Sequence, residues 1–204
     1  SEICLSGLAE VAMVSGIDSS FPLPCIQVKT DFPLEACIAS QYAGWPVSSE
    51  HYFAMCSGPA RTRRGKEEIL DGDELSCPGD QAVGILESNE LPPADVITAF
   101  ASDCGVNPEG ITLCVARTAS FPGSIQVVAR SIETTLHKLH EIGFDLSKVK
   151  AGFGSAPLPP IAKNDLTALG WTNDAILYGG QVNLWVDCDD EAILRAGGQL
   201  PGAG

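Results

Sequence analysis

The sequence lacks the short motifs that mark common nucleotide sites and serine hydrolases. It contains no GxxxxGK[ST], no GxGxxG and no GxSxG arrangement. A Walker A phosphate loop, a dinucleotide-binding turn and a nucleophile elbow therefore receive no support as the basis of its chemistry.

Histidine is scarce, which makes a metal site hard to build. The three histidines are His51, His137 and His140. His137 and His140 have helical spacing but not the HExxH arrangement of a zinc site, so a polar helix end is the favoured interpretation. The acidic run Asp187-Cys-Asp-Asp190 suggests a divalent cation, but acids at this position are more typical of helix capping. We therefore expect no metal.

Basic residues are few, and this limits the possible partners. Twelve Lys and Arg face 26 Asp and Glu, which gives a net charge of −14. Nucleic-acid binding needs clustered cations over a broad face and is not expected. No apolar run approaches the ~20 residues that span a bilayer, and no charged segment precedes an apolar one at the start. We expect no membrane contact and a cytoplasmic location.

The eight cysteines contain no CxxC pair, and most have apolar neighbours, as in FAMCSG and TLCVA. This pattern is typical of reduced, buried thiols rather than of a disulfide or metal framework.

Apolar strands alternate with helices along the chain, which predicts an α/β fold. The predicted strands are 3–14 (one strand or a pair), 25–29, HYFAM (51–55, within 47–55), 81–87, 111–116 and 181–186, with 150–161 as an edge strand or lining loop. The predicted helices are 32–43, 92–104, 118–143 and 164–169, with a last helix beginning at 187–190. The polar, acid-rich stretch 67–80 is the predicted linker between a first lobe, 1–66, and a second lobe, 81–204.

The segment 118–143 carries the most informative pattern. Its apolar residues form one helical stripe, and Gln126, Arg130, Glu133 and His137 form a polar stripe beside it. Between Thr118 and Leu136, only Arg130 and Glu133 are charged. A single Arg–Glu pair on a mostly buried helix is either a structural clamp or a functional site, and the pattern leaves both open. Ser57-Gly-Pro-Ala-Arg61 is likewise either an anion cradle or a tight turn.

Five long motifs distributed over nearly the whole chain carry a family resemblance. They are FAMCSGPAR (53–61), ILESNELP (85–92), TAS-x-x-GS-x-QV-x-AR-x-x-E (118–133), GSAPLPPIA (154–162) and TNDAILYGGQVNLWVD (172–187). In order and spacing the sequence resembles methenyltetrahydromethanopterin cyclohydrolase. Segments that the family has before residue 1 and after the last helix are missing, so we expect a fragment. The DCDD motif and the TRRGKEE loop favour the type found in methylotrophic bacteria, which use this chemistry in formaldehyde oxidation.

The resemblance implies two α/β lobes with mixed sheets and an active cleft between them, assembled as a homotrimer. It implies a hydrolase without a prosthetic group, whose substrate is the pterin-type one-carbon carrier tetrahydromethanopterin. The family's catalytic Arg and Glu fall on Arg130 and Glu133, which favours the site over the clamp. The implied substrate-binding residues are Gln126, Ser57, Gly58, Arg61, Ser120 and Asn173.

Under this resemblance Glu133 is the expected base that activates water, and Arg130 is expected to lower its pKa and hold its orientation. Gln126 and His137 are candidates for positioning water or the pterin ring, although His137 is also interpreted as a polar helix end. The cations Arg61, Arg63, Arg64 and Lys66 are candidates for the anionic tail of the carrier. The rival hypotheses are a non-catalytic pterin-binding or assembly module and a metal-dependent amidohydrolase, which the shortage of histidines disfavours.

Overall fold

The computed structural model describes residues 1–15, 23–42, 44–66 and 78–197. Their strands form two four-stranded sheets, one antiparallel and one mixed, and together with the helices they confirm the predicted α/β class. The strands are β1 (Glu10–Val14), β2 (Cys25–Thr30), β3 (Trp45–Ser49), β4 (Tyr52–Ser57), β5 (Ala82–Glu87), β6 (Ile111–Ala116), β7 (Val149–Pro157) and β8 (Gln181–Val186). The helices are α1 (Pro59–Arg64), α2 (Ala94–Cys104), α3 (Phe121–Val128), α4 (Ser131–Glu141), α5 (Asp165–Gly179) and α6 (Asp190–Gly197), with a π-helix at Leu34–Ala39.

The first sheet has the order β1-β2-β7-β8 and is antiparallel throughout. The prediction that 150–161 is an edge strand is wrong, because β7 lies between β2 and β8. Glycines on β7 let α4 pack directly on the sheet: a Cβ at Gly154 would overlap the Ser131 hydroxyl, and one at Gly152 would lie 3.2 Å from Ile132. This close approach fixes the position of the first turn of α4.

The second sheet has the order β3-β4-β5-β6, and only its β5–β6 pair is parallel. Its core is covered by α2, where the Phe100 ring stacks on Trp45 with centroids 4.5 Å apart. The helix ends as predicted at Gly105, which adopts the left-handed conformation with φ of 63°. A left-handed glycine frees the last carbonyls of a helix to accept capping hydrogen bonds.

The predicted single helix 118–143 is two helices, α3 and α4, separated at Ala129–Arg130. The Arg130 amide donates to the Val127 carbonyl at 3.0 Å, an i→i−3 bond that tightens the turn, before Thr134 resumes the α-helical pattern by donating to Arg130. The apolar stripe continues through the break, since Val128, Ile132 and Leu136 are all buried. The apolar periodicity of the segment is therefore kept, although the single helix that it predicted is divided into two.

Three further predictions need correction. Residues 3–14 begin with a 3-10 helix, Glu2–Leu5, before β1. Residues 57–61, for which the sequence suggests an anion cradle or a tight turn, lead into a helix, α1, while residues 67–77 of the predicted linker lie outside the described ranges. Helix α5 runs to Gly179 instead of ending at Leu169.

Each sheet takes strands from both sides of residues 67–80. Strand β2 pairs with β7, and β4 pairs with β5. The sheets thus do not follow the predicted boundary, and the division into lobes stays a prediction.

The cysteine prediction is confirmed at Cys4, Cys37, Cys56 and Cys104, which are free and buried. It is wrong at Cys114, which is exposed on β6, and Cys77 lies outside the described residues. No helix in the described ranges is both long and apolar enough to cross a membrane.

Candidate functional site

Arg130 and Glu133 lie at the first turn of α4, where the break from α3 turns both side chains toward the end of the π-helix. Arg130 is the N-cap residue, and its Nη2 donates to the backbone carbonyl of Gln41 at 2.7 Å. Glu133 follows one turn later and is only 6% exposed. The protein therefore fixes Arg130 by a hydrogen bond and buries Glu133 beside it.

The Glu133 carboxylate is balanced between burial and positive charge. Burial raises the pKa of Glu133 above its ordinary value, and Arg130, His137 and Arg61 each lower it in part. Burial disfavours the charged form of a carboxyl group, while a nearby cation favours it. The net result is a raised pKa, which makes this carboxylate a stronger proton acceptor than an exposed glutamate.

Arg61 reaches this region from α1 and is 1% exposed. Gly58 places it there: its φ of 97° lets the chain turn into α1, and its amide donates to the Ser40 carbonyl at 2.7 Å. This hydrogen bond links the start of α1 to the residue that caps the π-helix. Ser57, Gly58 and Arg61 thus belong to a tight turn, and the Arg61 side chain lies close enough to influence the pKa of Glu133.

Ser57 and Gln126 are linked through Cys4. The Cys4 Sγ lies 3.1 Å from the Ser57 hydroxyl and donates to Gln126 Oε1 at 3.3 Å. Burial raises the pKa of the Cys4 thiol, and the hydrogen bond with Ser57 and the charge of Arg130 partly offset that rise. Six predicted site residues are thereby connected in one neighbourhood. They are Ser57, Gly58, Arg61, Gln126, Arg130 and Glu133.

Gln41 is the residue of this neighbourhood that sequence reasoning missed, together with Cys4. Its side chain is fully buried, and neither its Nε2 nor its Oε1 has a hydrogen-bond partner among the described residues. The same holds for Arg130 Nε. Most buried polar groups are paired, so these three atoms are available to hydrogen-bond a bound molecule. A Gln inside an apolar helical period was the available signal.

Ser120 and Asn173 lie apart from this neighbourhood in their contacts. Ser120 is the N-cap of α3: its hydroxyl accepts from the Gly123 amide at 3.1 Å and donates to the Arg117 carbonyl at 2.6 Å. Asn173 is on the exposed side of α5. Ser120 therefore caps a helix and Asn173 faces solvent, and the substrate-binding role of both residues stays a prediction.

The remaining cations of the RTRRGK stretch contact α2 and β3. Arg63 Nε donates to the Cys104 carbonyl at 2.8 Å, and Lys66 lies 2.6 Å from Asp103, both at the end of α2. The Arg64 guanidinium lies 3.9 Å from Asp103 and 4.6 Å from the ring centroid of Trp45 on β3. Binding of an anionic tail stays a prediction for them.

The acidic run after β8 caps a helix, as expected. The Ala192 amide donates to Asp189 Oδ1 at 2.7 Å at the start of α6. In the described part of the chain, no three His, Cys, Asp or Glu side chains are grouped as metal ligands would be.

Comparison with known proteins supplies the context for this geometry. The family model described as cyclohydrolase (MCH) matches residues 1–203. A methenyltetrahydromethanopterin cyclohydrolase of Rhodopirellula baltica is 48% identical over 98% of this chain and 61% of its own length. Proteins of the same name from Methylobacillus flagellatus and Methanospirillum hungatei are 43% and 44% identical, over 98% and 93% of this chain. The chain spans about three fifths of the length of these relatives.

Proposed function

The chain belongs to the cyclohydrolase (MCH) family, and from this premise we propose that it interconverts 5,10-methenyltetrahydromethanopterin and 5-formyltetrahydromethanopterin. The observation that carries the proposal is the buried carboxylate of Glu133 within the influence of two arginines. A carboxylate in such surroundings is an oriented base rather than a solvated surface charge.

The chemistry of the substrate explains why a base suffices. The methenyl carbon lies between two nitrogens in an amidinium-like cation and is already electrophilic, so the reaction needs a positioned water and a proton acceptor. Glu133 takes a proton as the water oxygen bonds to the carbon. The carbon–nitrogen bond then breaks, and the leaving ring nitrogen receives a proton.

Arg130 has two roles in this proposal. Its charge lowers the pKa of Glu133 against the rise caused by burial, which favours the carboxylate form that accepts a proton. Its bond to the Gln41 carbonyl fixes the guanidinium, while the buried Nε is available to hydrogen-bond water or the formyl oxygen. Catalysis gains from groups that are oriented before the reaction begins.

Gln126, Ser57, Gly58 and Arg61 are proposed to contact the pterin carrier around this centre. The support is their connection to Arg130 and Glu133 through Cys4 and α1. Ser120 and Asn173 are proposed as more distant contacts to the carrier, on the family resemblance alone. A homotrimeric assembly and a place in cytoplasmic one-carbon metabolism complete the proposal.

A direct assay tests this function. The methenyl cation absorbs in the ultraviolet, and its hydrolysis removes that absorbance. We expect the protein to abolish the absorbance catalytically and to do so equally in the presence of a metal chelator. A spectrum that shifts in proportion to protein without disappearing would instead identify a non-catalytic binding module, and loss of turnover in chelator would identify a metal-dependent hydrolase.

A further inference from the structure

We infer that His137 relays protons between the buried Glu133 and the exposed Glu141, and so connects the reaction centre to solvent. The inference rests on the proposed function, since it assigns a route for a proton that this reaction must release. It makes His137 a positioning residue that acts through Glu133 and need not touch the substrate.

The need for a route follows from the balance of the reaction. Water adds to a cationic carbon, and the products are a neutral formamide and a neutral amine. Of the two water protons, one ends on the released ring nitrogen and the other leaves the site. Glu133 is 6% exposed, so a neighbouring acceptor with more access to solvent offers the route by which that proton reaches bulk water.

His137 lies between Glu133 and the surface with its two ring nitrogens facing different carboxylates. Its Nδ1 is 4.0 Å from Glu133 Oε1, and its Nε2 is 3.5 Å from Glu141 Oε1. The exposed fractions of the side chains rise along this line, from 8% at Glu133 to 37% at His137 and 54% at Glu141. An imidazole can accept a proton on one nitrogen and release one from the other.

The tyrosine that follows Gln41 holds the imidazole in place. The Tyr42 and His137 rings meet edge to face, with centroids 4.6 Å apart and planes at 67°. Because the Gln41 carbonyl accepts from Arg130, adjacent residues at the end of the π-helix brace Arg130 and His137 at once. One short segment of the chain thereby positions both Arg130 and His137, the two residues on either side of Glu133 in α4.

His137 and Glu141, the solvent-facing members of this row of side chains, line a groove of about 410 Å³ between α4 and the α5–β8 turn. His137, Lys138 and Glu141 line it on the α4 side, and apolar residues line it on the other: Ile176, Leu177 and Val182. Among the described residues, the titratable groups facing His137 are therefore Glu133, Lys138 and Glu141 on its own helix and Tyr42, which follows the π-helix. The groove admits solvent or small buffer molecules to the imidazole.

The two separations exceed a short hydrogen bond, and both fit a relay that closes during turnover. A bridging water or a small rotation of the partly exposed His137 brings each pair within reach, and hydrogen bonds of catalytic groups are often long before substrate binds. The competing explanation is purely structural: i,i+4 pairs stabilise a helix by about 0.2–0.5 kcal/mol. The two explanations differ in kinetics.

The test is chemical rescue of a His137→Ala variant by imidazole. In dilute buffer we expect kcat for methenyl hydrolysis to fall about tenfold or more, with KM unchanged, because proton release becomes limiting. Added imidazole should restore kcat in proportion to its concentration by entering the groove. His137→Gln, which preserves side-chain size, should lose the same activity and also respond to imidazole.

The matched control is His140→Ala, on the same helix and 6.4 Å from the Tyr42 ring centroid, which should leave kcat unchanged and insensitive to imidazole. Unchanged activity in the His137 variants, or a loss that imidazole leaves untouched in both, would overturn the relay. Active wild-type protein together with either of these results leaves the proposed function standing, whereas absence of turnover in wild-type protein would overturn both.

Discussion

Glu133 combines two opposing influences that can be separated by mutation. Burial raises the pKa of its carboxyl group, and Arg130 is the cation that lowers it most. An unperturbed glutamate titrates near ~4.3. Because the base must be ionised to accept a proton, the rate of hydrolysis should fall as the pH drops through the raised pKa of Glu133.

The first prediction concerns this acidic limb of the pH–rate profile. Arg130→Gln removes the charge that lowers the pKa of Glu133, so the limb should move to higher pH. The control is Arg117→Gln, since Arg117 faces Asp165 at 3.7 Å instead. A limb that stays in place in Arg130→Gln, measured as kcat against pH, would contradict the electrostatic role.

The second prediction concerns the glycine that starts α3. A Cβ at Gly123 would overlap the Arg117 backbone carbonyl, so Gly123→Ala should lower the free energy of unfolding by about 2 kcal/mol or more. Gly170→Ala is the matched change within a helix: nothing lies within 4 Å of its Cβ, and alanine should add about 1 kcal/mol. Urea denaturation followed by circular dichroism measures both. Equal effects in the two variants would contradict the packing described here.

At the residue scale, functional side chains could be predicted from the sequence better than the backbone groups that hold them. Arg130 and Glu133 stood out because they were the only charges on an apolar segment. The Gln41 carbonyl that holds Arg130 could not be predicted, because a backbone acceptor is present at every residue and only the fold decides which one is used. Cys4 was missed because a buried thiol has the sequence context of an ordinary core residue.

At the scale of elements, helix ends were harder to predict than helices. The break at Ala129–Arg130 occurs without Gly or Pro, so the sequence offers no signal for it. Gly170 gave the opposite error in α5, where it suggested an end that the structure does not have. The helix continues through Thr172, whose hydroxyl donates to the Ala168 carbonyl at 2.8 Å and satisfies a polar group inside the core face.

The third prediction tests the start of α5. The Asn164 side chain accepts from the Thr167 amide at 2.9 Å, as an N-cap does. Asn164→Ala should therefore cost about 1 kcal/mol of stability, and Asn164→Asp should retain most of it. Thermal unfolding of the three proteins measures this. Equal loss in the Asp and Ala variants would show that the capping hydrogen bond contributes nothing.

At the scale of the whole molecule, the pairing of distant strands was the main feature beyond prediction. Each strand of the first sheet was expected as a local pattern, apart from the error over the position of β7. Which strands pair depends on closing long loops, such as the one between β2 and β7, and local patterns do not encode that choice. The resemblance predicted the α/β class, and the structure supplied the sheet order.

The fourth prediction concerns assembly. Several large apolar side chains are exposed on α5 and β8, including Leu166 at 82%, Tyr178 at 86% and Trp185 at 57%. Such exposure is typical of surfaces that contact another chain. We expect light scattering to give a mass three times that of one chain. A monomeric mass at all concentrations would contradict the proposed homotrimer.

Glu133→Gln is the variant that bears most directly on the role of Glu133 as the base, and kcat for methenyl hydrolysis is the quantity to measure. We expect kcat to fall about 10² to 10⁴-fold. The variant should remain folded and, above the raised pKa of Glu133, be at least as stable as wild type, because a buried carboxyl group with a raised folded-state pKa lowers stability as pH rises through that pKa. Glu109→Gln, an exposed change before β6, should leave kcat unaltered. Near-normal turnover by a folded Glu133→Gln protein would show that Glu133 is not the base.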